Sequence, residues 1–183
     1  MRLLAVASLV LLAAACGGRS DAERLSVYFG RVQVEQSAYR HAQKGALRAL
    51  DFVDKTTPTA ADCRASARLM GSARDRYSRL GSRMRAIEAP SDLRGAHREL
   101  ARSLQLYARF FDELEQVIGY CDALTLTAAS GSPLPDRARE LRADWRLAVV
   151  DRAVRTGVSV PDWAREVGVS PGPSGQGAPP PNT

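Results

Sequence analysis

Apolar positions recur along this chain in steps of three and four, and the steps gather into four runs. From Ser20 to about Lys55 there is no proline, and Leu25, Phe29, Val32, Gln36, Tyr39, Gln43, Ala46, Leu50 and Val53 share one stripe. That spacing predicts a helix with a single buried face. Thr57-Pro58-Thr59 breaks it, and Thr59 with Asp62 three residues on is an N-cap signature for a second helix. Its stripe, Cys63, Ser66, Met70, Ala73, Tyr77, Leu80, Met84 and Ile87, keeps a heptad register without a miss. Ala89-Pro90-Ser91-Asp92 stops that helix, because the residue before a proline leaves the helical region, and Ser91 is placed to cap the third. The third stripe is Leu93, His97, Leu100, Leu104, Tyr107, Phe111, Leu114, Ile118, Cys121 and Thr125. After the Ser130–Pro135 break, a fourth helix is expected from about Asp136 to Arg155 on Leu141, Trp145, Ala148, Val149 and Arg152 or Ala153.

Short breaks between long helices turn each helix antiparallel to the one before, so the expected fold is all-α, an up-down-up-down four-helix bundle. The fourth helix is much shorter than the first three and covers only part of the groove. Gly157 ends it, and the segment Val160–Val167 reads as one or two helical turns docking Trp163 on the bundle end. Residues 168–183 are rich in proline and glycine and predict a disordered tail.

The first residues follow a different pattern. Arg2, an apolar stretch from Leu3 to Leu12, then Ala13, Ala14, Ala15 and Cys16 form the three-part layout of a secretory signal. The thirteen residues from Leu3 to Ala15 are too few for the roughly 20 of a membrane-crossing helix. Leu12-Ala13-Ala14-Ala15-Cys16 resembles the lipobox of bacterial lipoproteins, with alanine in place of the commoner leucine three residues before the cysteine. The resemblance covers only about the first 17 residues. It implies cleavage before Cys16 and attachment there of a diacylglyceryl group bearing fatty chains such as palmitate, two of which anchor a protein stably where one does not. An ordinary secretory signal cut at the same small residues is the other reading. The division that follows is a signal peptide at 1–15, a tether at 16–20, a bundle domain at 21–167 and the tail, with the mature protein expected on the outer face of the bacterial cell membrane.

Composition changes this picture little. The chain has 183 residues, 26 basic against 20 acidic, and all the basic ones but Lys44 and Lys55 are arginines. One domain with one core is the expectation. A net charge of +6 favours a membrane surface or an anionic cell-wall polymer as partner, alongside an envelope protein. The arginines are spread along the whole chain, and an exported protein meets little nucleic acid, so nucleic acid is not an expected partner. The second helix carries Arg64, Arg68, Arg74, Arg76, Arg79, Arg83 and Arg85, all off its buried stripe. They read either as a solvated face or as a contact for an anionic polymer.

Cys63 lies 27 residues before Pro90 and Cys121 lies 31 after it. In an antiparallel hairpin their heights then differ by only about 6 Å, which predicts a disulfide in an oxidising compartment, against two separate buried thiols. His41 and His97 fall roughly 20 Å apart, with His97 level with about Tyr28, so they do not predict a shared metal site. His97 reads as a hydrogen-bonded core residue near the bundle end. Tyr39, Tyr77 and Tyr107 fall at similar heights with Gln43 one turn away, so they read either as core residues or as the lining of a small ligand pocket. No catalytic motif is present: there is no Gly-x-Ser-x-Gly, no phosphate loop and no serine with a positioned histidine. The functional expectation is a non-catalytic, lipid-anchored interaction or ligand-binding module without cofactor. The rival is a redox or metal bundle holding a cofactor among the tyrosines and histidines.

Overall fold

The computed structural model describes residues 20–50, 59–121 and 131–165. Four long helices form a bundle: α1 (Asp21–Leu50), α2 (Ala60–Arg85), α3 (Arg94–Ile118) and α4 (Leu134–Thr156), followed by a single turn, α5 (Asp162–Arg165). The helix α2 packs on both α1 and α3, α3 packs on α4, and α4 closes on α1. The four expected helices are found in their expected order, but α4 is not much shorter than α2 and α3: it has 23 residues against 26 in α2 and 25 in α3, because α2 and α3 end at Arg85 and Ile118, short of the stripe positions Ile87 and Cys121.

Two helices start in the same way. The Ser20 hydroxyl accepts from the Glu23 amide at 3.2 Å while the Ser20 amide donates to the Glu23 carboxylate at 2.8 Å. Thr59 and Asp62 repeat this reciprocal box at the start of α2. Each box satisfies two backbone groups that a helix end leaves orphaned, and it places a carboxylate at the positive end of the helix dipole. The α2–α3 corner differs from expectation. The helix α2 stops at Arg85, before the proline, and Ile87 lies past its end, half-buried. Ser91 makes no side-chain cap. A turn of 3₁₀ helix over Ser91–Leu93 carries the chain into α3 instead, with the Leu93 amide bonded to the Pro90 carbonyl at 2.9 Å. The helix α4 ends at Gly157, whose φ of +67° is the left-handed conformation that a Cβ disfavours.

Two ion pairs show which ends meet. Arg152, near the end of α4, reaches Asp21 at 3.2 Å and Asp92 at 2.9 Å, so the start of α1, the 3₁₀ turn and the end of α4 lie together. The opposite end of the α2–α3 hairpin is closed by a disulfide between Cys63 and Cys121, with Cα atoms 5.7 Å apart. Cys121 does not sit on the helical stripe. It lies beyond the last residue of α3 with φ of +52°, a conformation uncommon outside glycine. The hairpin register is nonetheless the expected one. Leu50's side chain, Val53, Thr125, the signal and tether at 1–20 except Ser20, and the tail at 168–183 lie outside the described residues.

Candidate functional site

Three places concentrate chemistry: a buried polar chain, a layer of tyrosines and a groove rimmed by arginine.

The buried chain takes one group from each long helix. Trp145 of α4 donates its indole N–H to the Tyr28 hydroxyl of α1 at 3.0 Å. That hydroxyl lies 3.1 Å from Nδ1 of His97 on α3, and His97 Nε2 lies 2.8 Å from the Met84 carbonyl of α2. With His97 neutral, as burial favours, only one assignment of protons satisfies every link: Tyr28 donates to Nδ1, and Nε2 donates to the Met84 carbonyl. Burial pushes the Tyr28 hydroxyl up to about 12, against the lowering effect of the Trp145 bond. Burial also lowers the His97 pKa, an effect partly offset by its bond to the Met84 carbonyl. Both shifts keep the pair neutral at physiological pH. Trp163 of α5 closes this end by stacking on Trp145 with ring centroids 5.1 Å apart, and Phe29 meets it edge-on at 5.9 Å. The expected docking of Trp163 is therefore realised on the Trp145 indole. His97 is the expected buried, hydrogen-bonded residue, and His41 is exposed.

The tyrosine layer lies further along the bundle. Tyr77 sits at its centre, meeting Tyr39 edge-on at 6.0 Å and stacking on Tyr107 at 5.1 Å and on Phe111 at 5.6 Å. Arg142 of α4 lies over the Tyr39 ring, 3.6 Å from its centroid, and donates to the Gln36 side chain at 2.9 Å. A guanidinium on a ring face, fixed by the buried Gln36 amide, holds the lid of the layer in place. Burial raises the pKa values of Tyr77 and Tyr107, with the neighbouring tyrosines adding to the rise and Arg142 opposing it. The structure brings together three of the four expected residues but not Gln43, which is exposed. The reason is a turn in the buried face of α1. In its far half Ala42 and Ala46 face inward and the Arg76 guanidinium of α2 lies against Gly45, so the face rolls toward α2 and leaves Gln43 outside. The rings pack on one another, which gives them the character of core.

The groove lies on the outer side of the α2–α3 hairpin, beside its turn. It is open and shallow, with a volume of about 580 Å³, and Arg85, Arg98, Arg102, Glu99 and Gln105 stand around Gly95 and Ala101. With its amide oxygen turned toward Arg85, Gln105 accepts from both terminal nitrogens at 3.0 and 3.1 Å. Glu99 lies 3.7 Å from Arg102. Arg98 has no ion-pair partner among the described residues.

The remaining arginines of α2 divide between two uses. Arg74 is half-buried and pairs with Asp75, Asp112 and Glu115, stitching α2 to α3, while Arg83 pairs with Glu35 of α1. Arg64, Arg68 and Arg79 are exposed.

Sequence reasoning set Tyr28 level with His97 but missed that it is buried, since a stripe stepping from Leu25 to Phe29 passes over it, although a position three from Leu25 lies on the same face. The groove was equally invisible, because Arg85 and Arg98 belong to different helices. Among the described residues no group of histidine, cysteine and carboxylate side chains could hold a metal ion, and no helix is long and apolar enough to cross a membrane. Compared with known proteins, the chain matches no family model, no curated protein and no solved structure.

Proposed function

We propose that this protein is a non-catalytic interaction module, exported and held by lipid at Cys16 on the outer face of a bacterial membrane. The observation that carries the reading is the Cys63–Cys121 disulfide. Disulfides persist in oxidising compartments, which is where the Leu12–Cys16 segment would direct the chain, so two unrelated features of the sequence agree on one location. The interior supports the interaction role over the sequestering one. The tyrosines are in ring-to-ring contact, and both nitrogens of His97 are engaged within the bundle, so neither set is poised toward a ligand.

The anchor is tested by labelling expressing cells with radioactive fatty acid. The wild-type chain should incorporate label and partition into detergent, and Cys16→Ser should lose the label and remain unprocessed or be released; equal labelling of both would end the lipoprotein reading. In the same preparation, cross-linking to the envelope followed by recovery of the tethered chain identifies the partner. A stoichiometric metal or chromophore recovered with the purified protein would replace this reading with the cofactor-holding one.

A further inference from the structure

We propose that the arginine groove beside the α2–α3 turn binds the phosphate headgroups of anionic phospholipid in the membrane that carries the protein, an inference that rests on the lipid anchor proposed above. Its place in the fold is the first argument. Arg152 ties the start of α1 to the α2–α3 turn and to the end of α4, so the bundle end nearest Cys16 in the chain is also the end that holds Arg85 and Gly95. Asp21 lies five positions after Cys16, a reach of at most about 18 Å. Arg98 and Arg102 stand only about 6 and 12 Å along α3 from its first residue. A bundle anchored through Cys16 can therefore bring the groove down to the lipid headgroups.

The second argument is charge and shape. Three arginines and one glutamate line the groove, so it is net positive, and Arg98 is without an ion-pair partner among the described residues. Arginine presents a planar fork that matches two phosphate oxygens at once. Gly95 leaves the mouth open: a Cβ there would meet nothing within 4 Å. The open groove, with a volume of about 580 Å³, leaves room for a phosphodiester headgroup. Gln105 holds Arg85 extended along the rim instead of leaving it to wander in solvent. The contact would set the orientation of the bundle on the membrane, with the disulfide end pointing away.

The experiment uses the full chain carrying Cys16→Ser, so that vesicle preference is read without acyl chains and the anchor is judged separately by fatty-acid labelling. Binding is compared on vesicles of phosphatidylcholine alone and of phosphatidylcholine with phosphatidylglycerol. The unaltered groove should prefer the anionic vesicles. Arg85→Gln, Arg98→Gln and Arg102→Gln together should reduce that preference by about fivefold per arginine, on the order of 100-fold in all. A control triple, Arg64→Gln, Arg68→Gln and Arg109→Gln, removes the same charge outside the groove and should leave most of the preference intact. An equal loss in both triples would show that net charge alone is responsible and overturn the proposal. So would displacement by inorganic phosphate at equal phosphate concentration, which would make the groove a free-anion site. Circular dichroism of each variant checks that the bundle is folded, and all six positions are on the solvent side of their helices.

Discussion

Replacing Tyr28 with phenylalanine removes a single oxygen from the only group that touches both α3 and α4 through hydrogen bonds within the buried chain. The ring and its contacts with Phe29 and His97 remain, so little packing changes. Two buried groups lose their partner at once: Trp145 Nε1–H has no acceptor, and His97 Nδ1 has no donor. Orphaning one buried polar group costs about 1–3 kcal/mol, and two at the lower half of that range give about 3 kcal/mol. For a domain of this size that corresponds to a melting temperature lower by about 6–12 °C. Urea denaturation of the oxidised protein, followed by Trp145 and Trp163 fluorescence, measures it, with an unchanged m-value showing that the unfolded state is not altered. His97→Leu should cost less in the Tyr28→Phe background than in the wild type, because one orphan has already been made. A loss below about 0.5 kcal/mol, or strict additivity of the two substitutions, would refute the idea that this chain ties the four helices together.

The same residue makes stability depend on pH. Because the folded pKa of His97 lies below the ordinary histidine value near 6.5, its contribution is fully present above that value and is lost as pH falls through and below it, by at most about 1.4 kcal/mol per pH unit. Denaturation midpoints between pH 7.5 and 5 should fall in the wild type and flatten in His97→Leu. Reducing the disulfide should cost on the order of 4 kcal/mol in the chain-entropy model, since the bridge closes a separation of 58 residues. Calorimetry with and without reductant should show a fall of about 10 °C, and no shift would mean that the hairpin ends are held by packing alone.

Much of the fold was legible in the order of residues because helices announce themselves through local periodicity. The four stripes, the Thr59–Asp62 box, the glycine at 157 and the pairing of Cys63 with Cys121 depend on spacing along the chain, and an antiparallel hairpin converts spacing directly into height. The corner after α2 was less legible. Proline marks where a helix cannot continue, but the helix stopped earlier, and a 3₁₀ turn did the work expected of a serine cap.

What tertiary structure alone decided is where the faces point and what meets across helices. A three-and-four stripe leaves a helix free to roll by a fraction of a turn, and packing against a neighbour settles the roll. Contact with α2 turned α1 so that Ala42 went in and Gln43 went out. The roll and height of all four helices together brought Trp145, Tyr28, His97 and the Met84 carbonyl into one chain of hydrogen bonds spanning more than a hundred residues of sequence. It also set Arg85 of one helix beside Arg98 and Arg102 of the next. Sequence determines which residues can be on a helix face; only the close packing of several helices, which tolerates neither voids nor unpaired polar groups, determines which of them touch.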